Sequence, residues 1–231
     1  MNFTFGIITT GNSDLRRILY TIYQQGIPEY QIIVVGGSNS YEGAQHISFN
    51  ENEKSGWITR KKNIITEYAE HENIVYMHDY IELKKDWYQG FMDFGDNFKI
   101  CMNRILNIDG SRFRDWTLFP AFLPEHLQHR RDLLLPYDLT KLTKYQYISG
   151  AYWEAKKSVM CEFPLDETLC WGFGEDVEWS HRVKSKYKFS INTASSVQII
   201  KEGKDIAFSE AQPDIIKGLL VDLIERPKEE I

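Results

Sequence analysis

Apolar and polar residues come in blocks along this chain, and the blocks change period from strand-like to helix-like. Phe3 to Thr9 is a short apolar run ending in Thr9-Thr10-Gly11-Asn12, and Asp14 to Gln25 then places Leu15, Ile18, Leu19 and Ile22 at helical spacing. A strand, a polar loop and an amphipathic helix are predicted in that order. Gln31 to Val35 is apolar after its first residue and breaks at Gly36-Gly37-Ser38-Asn39, the pattern of a strand buried on both faces of a parallel sheet. These segments make a βαβ unit. His46 to Phe49 is a candidate third strand, residues 57–70 a second helix, and Ile74 to Met77 a further buried strand ending at His78-Asp79-Tyr80. Such alternation predicts an α/β fold.

The second part of the chain is less regular. Lys99 to Asn103 and Tyr147 to Ile148 read as strands, separated by a loop-rich stretch, residues 111–139, that holds three prolines. A long segment of this kind in a compact domain is more often functional than idle. A helix headed by Glu175 is predicted to run to about Lys186, followed by a strand at Phe189 to Asn192 and, after Pro213, an amphipathic helix through Ile224. That last helix can pack on the domain or pair with a second copy of the chain. The length of 231 residues suits one large α/β domain.

Composition narrows the class of partner. Hydrophobic residues make up 42% and charged residues 26%, ordinary for a globular protein, and the net charge of -6 leaves no positive field to hold a nucleic-acid polymer. No apolar run approaches the ~20 residues of a transmembrane helix. Cys101, Cys161 and Cys170 lack metal or redox spacing and read as reduced structural thiols, and the N-terminus reads as a strand rather than a signal peptide, so a cytoplasmic location is expected. An aromatic share of 14% suits either a large core or a site that stacks on sugars and bases.

In open α/β sheets, ligands bind beyond the carboxyl ends of the strands. Asp79, beside His78, follows a buried strand and could hold a hard divalent cation, or it could simply stabilise a turn. Glu175 and Asp176 follow the aromatic-glycine run Trp171-Gly172-Phe173-Gly174 at a helix start, where acids meet the positive end of the macrodipole. The helix-start reading and the active-site reading both stand. Arg112, Arg114 and Asp115, in the segment 107–116, are candidates for an acceptor pocket or for a hairpin turned at Asp109-Gly110.

Taken in order, the strand-end Thr9, the polar second strand end, Asp79 after a buried strand, SGAYWEAK at 149–156 and GFGEDVEWSHR at 172–182 resemble the GT-A fold glycosyltransferases. Family 2 and its galactosyltransferase-like relatives are the nearest pattern. The resemblance implies one GT-A type domain with a mostly parallel central sheet flanked by helices. Residues 1–100 would then bind nucleotide, 101–205 carry acceptor and catalytic functions, and 206–231 form a helical tail. It also implies an inverting transfer with Asp176 as general base and Glu175 orienting the acceptor. Asp79, next to His78, would carry Mn²⁺ or Mg²⁺ across the donor diphosphate. Thr9 and Gly36 would lie near the nucleotide, Lys62 and Asn63 near the diphosphate, and Gly150 and Ala151 near the donor sugar. Trp171 or Trp153 would stack on a sugar face. The implied donor is a nucleotide sugar, UDP by default, and the implied acceptor a glycan or glycolipid. A binding protein for nucleotide sugars or glycans, without catalysis, is the alternative.

Overall fold

The computed structural model describes residues 1–119, 133–140, 143–201 and 208–225. The first part alternates as its apolar runs require: β1 (Phe3–Ile8), α1 (Arg16–Tyr23), β2 (Tyr30–Val35), β3 (Gln45–Ile47), α2 (Ile58–Tyr68) and β4 (Asn73–His78). A short β5 (Ile81–Leu83) and α3 (Trp87–Phe94) lead to β6 (Ile100–Leu106). Next come three two-residue strands, β7 (Thr117–Leu118), β8 (Leu133–Leu134) and β9 (Gln146–Tyr147). The chain continues through β10 (Tyr152–Lys156), α4 (Lys157–Glu162), α5 (Glu175–Val183), β11 (Phe189–Ile199), β12 (Ser209–Glu210) and α6 (Pro213–Glu225).

Among the described residues the main sheet has eight strands in the order β3-β2-β1-β4-β10-β6-β11-β5. The strands β3, β2, β1 and β4 are mutually parallel, with Ile8 opposite Val35 on one side and His78 on the other. Their polar strand ends therefore share one edge. β10 then enters antiparallel between β4 and β6, with Tyr152 paired to Met77. Because it runs the other way, its beginning, not its end, meets that edge, and the 149–151 turn is laid beside His78, whose N–H donates to Ala151 O at 3.1 Å. β6 and β11 are parallel and β5 closes the sheet antiparallel, so the sheet is mixed with a parallel majority. β7, β8, β9 and β12 form a second small sheet. The middle of the proline-bearing stretch, residues 120–132, lies outside the described residues.

The core settles most of the aromatic excess. Trp87, Trp116, Trp153 and Trp179 are all buried, Phe3 packs edge-on against Trp87 and Phe91, and Tyr76 stacks on Trp153 at 4.8 Å. Burying rings of this size gives each a contribution beyond its area. α6 packs through Ile215 and Leu219, and among the described residues no helix is long and apolar enough to cross a membrane. β11 is longer than the four residues expected because a bulge between Asn192 and Ser196 lets pairing with β6 resume.

Candidate active site

Three strand ends and one helix start build the site. At the end of β1, Thr9 Oγ1 donates to Asp79 Oδ2 at 2.7 Å and accepts from Gly11 N–H at 2.9 Å, which ties the ends of β1 and β4 together. At the end of β2, Gly36 has φ +99°, and a Cβ there would stand 2.1 Å from Thr9 O. Only glycine lets the two loops approach so closely. Beside them, Lys61 is buried and donates to Thr9 O at 2.7 Å and to Glu51 at 2.5 Å.

The acid pair arrives on α5. Gly174 caps it at φ +75°, and Glu175 and Asp176 occupy the first turn, where the helix dipole favours negative charge. Asp176 Oδ2 accepts from Gly150 N–H at 2.8 Å and Oδ1 from its neighbour Val177 N–H at 2.9 Å. The carboxylate is thereby held by backbone donors on both oxygens. Burial, and next the charge of Asp176, push the Glu175 carboxyl above its ordinary range, while Lys62 opposes the rise. Burial also pushes the Tyr80 phenol up to about 12, with Arg114 opposing.

Two clefts adjoin at this edge. One, of about 300 Å³, is lined by Glu175, Asp176, Gly150, Ala151, Arg114, Phe119 and Tyr147. The other, of about 360 Å³, is lined by Thr9, Thr10, Asp79, Ser55 and Lys61. His78, Tyr80 and Trp171 belong to both, so Trp171, 56% exposed, stands on the wall between them. The loop that carries it is strapped to α2. Trp171 N–H donates to Gly56 O at 2.8 Å, Thr59 Oγ1 to Leu169 O, and Trp57 Nε1 to Glu167 O.

Of the residues expected at the site, Thr9, His78, Asp79, Gly150, Ala151, Trp171, Glu175 and Asp176 are gathered at these clefts, with Gly36 packed behind Thr9. Five are not. Lys62 is 1% exposed and its ammonium donates to Gly150 O, so it faces the interior rather than a diphosphate in either cleft. Asn63 exchanges two side-chain hydrogen bonds with the Leu165 backbone, donates a third to Glu167 Oε1, and so holds the loop, not a ligand. Trp153 is sandwiched between Tyr76 and Lys62 and presents no face to a sugar. Arg112 pairs with the fully buried Asp115 at 2.7 Å and also donates to Leu135 O, which closes the hairpin of residues 106–112 onto β8. The hairpin reading holds for that segment. Arg114, expected beside Arg112, does line the cleft, whereas sequence reasoning missed Tyr80, Phe119 and Tyr147, whose side chains reach it from three separate places in the chain and leave no common local pattern.

Among the described residues, no three His, Cys, Asp or Glu side chains stand close enough to make a metal site by themselves. Glu82, near Asp79 in sequence, is engaged by Arg17 through two contacts of 2.7 and 3.0 Å. Among the described residues, Asp79 thus belongs to no cluster of three such side chains. That donor set does not suit an all-protein cage, but it suits a divalent ion whose other ligands are phosphate and water.

No protein-family model matches this chain, and no curated protein matches it in sequence. Solved structures match it in fold. S. aureus TarS is 13% identical, with a TM-score of 0.59, over 100% of this chain and 41% of TarS. Its 1–349 form gives 13% identity and a TM-score of 0.58 over 100% of this chain and 67% of that form. GalNAc-T7, solved with UDP, GalNAc and Mn²⁺, is 14% identical, with a TM-score of 0.62, over 96% of this chain and 47% of GalNAc-T7. The chain thus spans less than half the length of TarS or GalNAc-T7. With its mixed eight-stranded sheet and its site at the strand-end edge, it has the GT-A glycosyltransferase fold.

Proposed function

We propose that this chain is a glycosyltransferase that moves a sugar from a nucleotide-diphosphate sugar to a glycan or glycolipid acceptor, with inversion at the anomeric carbon. The observation that carries the reading is the pair of adjoining clefts, one holding Asp79 and the other Glu175 and Asp176, with Trp171 between them. In this reading the donor occupies the Thr9–Asp79 side and the acceptor the Glu175–Asp176 side. The UDP, GalNAc and Mn²⁺ in the GalNAc-T7 structure support a UDP-sugar donor with a divalent metal.

Asp176 is the general base. Its carboxylate is pinned by two backbone N–H groups and still has lone pairs for the proton of an attacking hydroxyl. Glu175, beside it, orients the acceptor through a hydrogen bond, and the exposed face of Trp171 suits the apolar face of a sugar. Asp79, kept in place by Thr9, would hold Mn²⁺ or Mg²⁺. When bound, the ion would supply countercharge to the diphosphate leaving group. By this assignment residues 1–100 serve the donor, 101–205 the acceptor and the chemistry, and 206–231 form a tail.

The test is a thermal-shift panel of UDP-, GDP-, CMP- and dTDP-sugars with Mn²⁺ or EDTA, followed by a product assay with the stabilising donor. One donor is expected to raise the Tm only with metal, and Asp79→Ala to abolish the shift. Asp176→Asn is expected to keep donor binding and to lower sugar release by about 10²–10⁴-fold. Full activity in Asp176→Asn would refute the role of the base. Donor binding with no sugar released by the wild type would make the chain a binding protein.

A further inference from the structure

Lys62 is a buried cation that the proposed chemistry leaves without a task. It projects from α2 into the interior, and its ammonium lies 4.4 Å from the centroid of the Trp153 ring. Nζ donates to Gly150 O at 2.8 Å, and the N–H of the same glycine donates to Asp176 Oδ2 at 2.8 Å. Gly150 therefore links an ammonium on one side to a carboxylate on the other. The fit is tight: a Cβ on Gly150 would stand 3.1 Å from Asp176 Oδ2 and 3.3 Å from Glu175 Oε1, so the two acids would have to give way by a few tenths of an ångström.

The surroundings explain how an ammonium survives there. Trp153 of β10 and the Gly150 carbonyl are neutral, and the charged groups that act on Lys62 are Glu175 and Asp176 of α5. Burial pulls the Lys62 ammonium down to about 8, and the two acids oppose that fall. The influence is mutual, because Lys62 opposes the burial-driven rise of Glu175. Removing one side of such a charge balance is costly, since it strands the other charge in the interior.

We propose that Lys62 is a positioning residue of this site: through Gly150 it anchors the 149–151 turn, sets the place of the Asp176 carboxylate and serves as the interior countercharge of the acid pair. The kinetic consequence rests on Asp176 being the base of a transferase, whereas the placement itself does not. The experiment separates the two.

The ¹³C-carboxyl signal of Glu175 is titrated by NMR in the wild type and in Lys62→Met, which keeps the length of the side chain without its charge. Loss of the countercharge is expected to move the Glu175 midpoint upward by about one pH unit. An unchanged midpoint would overturn the proposal. If Lys62→Met does not fold, the Lys62 side chain is titrated instead in Glu175→Gln and Asp176→Asn. There its midpoint is expected below that of the wild type, and no movement would again overturn it. With UDP-GalNAc as probe donor, Lys62→Met is expected to lower kcat with donor KM unchanged. A raised donor KM with an unmoved Glu175 midpoint would mark a diphosphate ligand and refute the positioning role. A moved midpoint in a protein that transfers no sugar would support the positioning role and count against the transferase reading alone.

Discussion

Asp115 shows how a charged residue in a loop is spoken for before any ligand arrives. Its carboxylate accepts from Arg112, from the N–H groups of Ile105 and Trp116, and from the Tyr137 hydroxyl, and none of it is exposed. Arg112 also lies 4.0 Å from the centroid of the Tyr137 ring. Arg112→Ala is therefore expected to lower unfolding free energy by about 1–3 kcal/mol, because Asp115 keeps its three other donors. Chemical denaturation measures this, and the acceptor KM should not change. Arg112 and Arg114 are two residues apart and look alike in sequence, yet Arg114 lines the cleft and Arg112 ties a hairpin. The difference lies in partners supplied by Leu135, just after β8, and by Tyr147 of β9, which no local window contains.

At the scale of elements, α2 works as a clamp. One face packs on β1 and β2, while Trp57, Thr59 and Asn63 hold the segment 165–169 that leads into the Trp171 loop. The resemblance implied that Lys62, in the basic run Arg60-Lys61-Lys62, would lie near a diphosphate. The structure instead spends all three inside the protein's own network: Arg60 on Glu67 and Glu167, Lys61 on Thr9 and Glu51, and Lys62 on Gly150. Asn63→Ala removes a reciprocal pair of hydrogen bonds to Leu165 and should cost about 1–3 kcal/mol. Hydrogen exchange at the Trp171 amide, which donates to Gly56 O, is expected to quicken in that variant. An unchanged exchange rate would show that the loop is held without the clamp.

For the whole molecule, pH dependence of stability should centre on the buried Glu154 of β10. The Tyr152 hydroxyl donates to its Oε1, and Oε2 has no hydrogen-bond partner among the described residues. Burial pushes this carboxyl well above its ordinary value of 4.5. A raised folded value means that its stabilising contribution is complete below the unfolded value and is lost as pH rises through the folded one. As pH rises above the ordinary carboxyl range the Tm of the wild type should therefore fall through this group, and Glu154→Gln should flatten that fall, as read by thermal unfolding. The same distinction between pattern and packing runs through the chain. Apolar runs broken by polar strand ends determined the α/β class and marked Thr9 and Asp79, because a strand buried on both faces leaves its polar residues nowhere to go but its ends, while the aromatic-glycine run at a helix start marked Glu175 and Asp176. Only the tertiary structure decided that β10 enters antiparallel beside β4, that Lys62, Trp153 and Arg112 turn inward, and that Tyr80, Arg114 and Tyr147 turn to the cleft. A side chain's direction depends on partners tens of residues away, and the periodicity of a short segment carries no record of them.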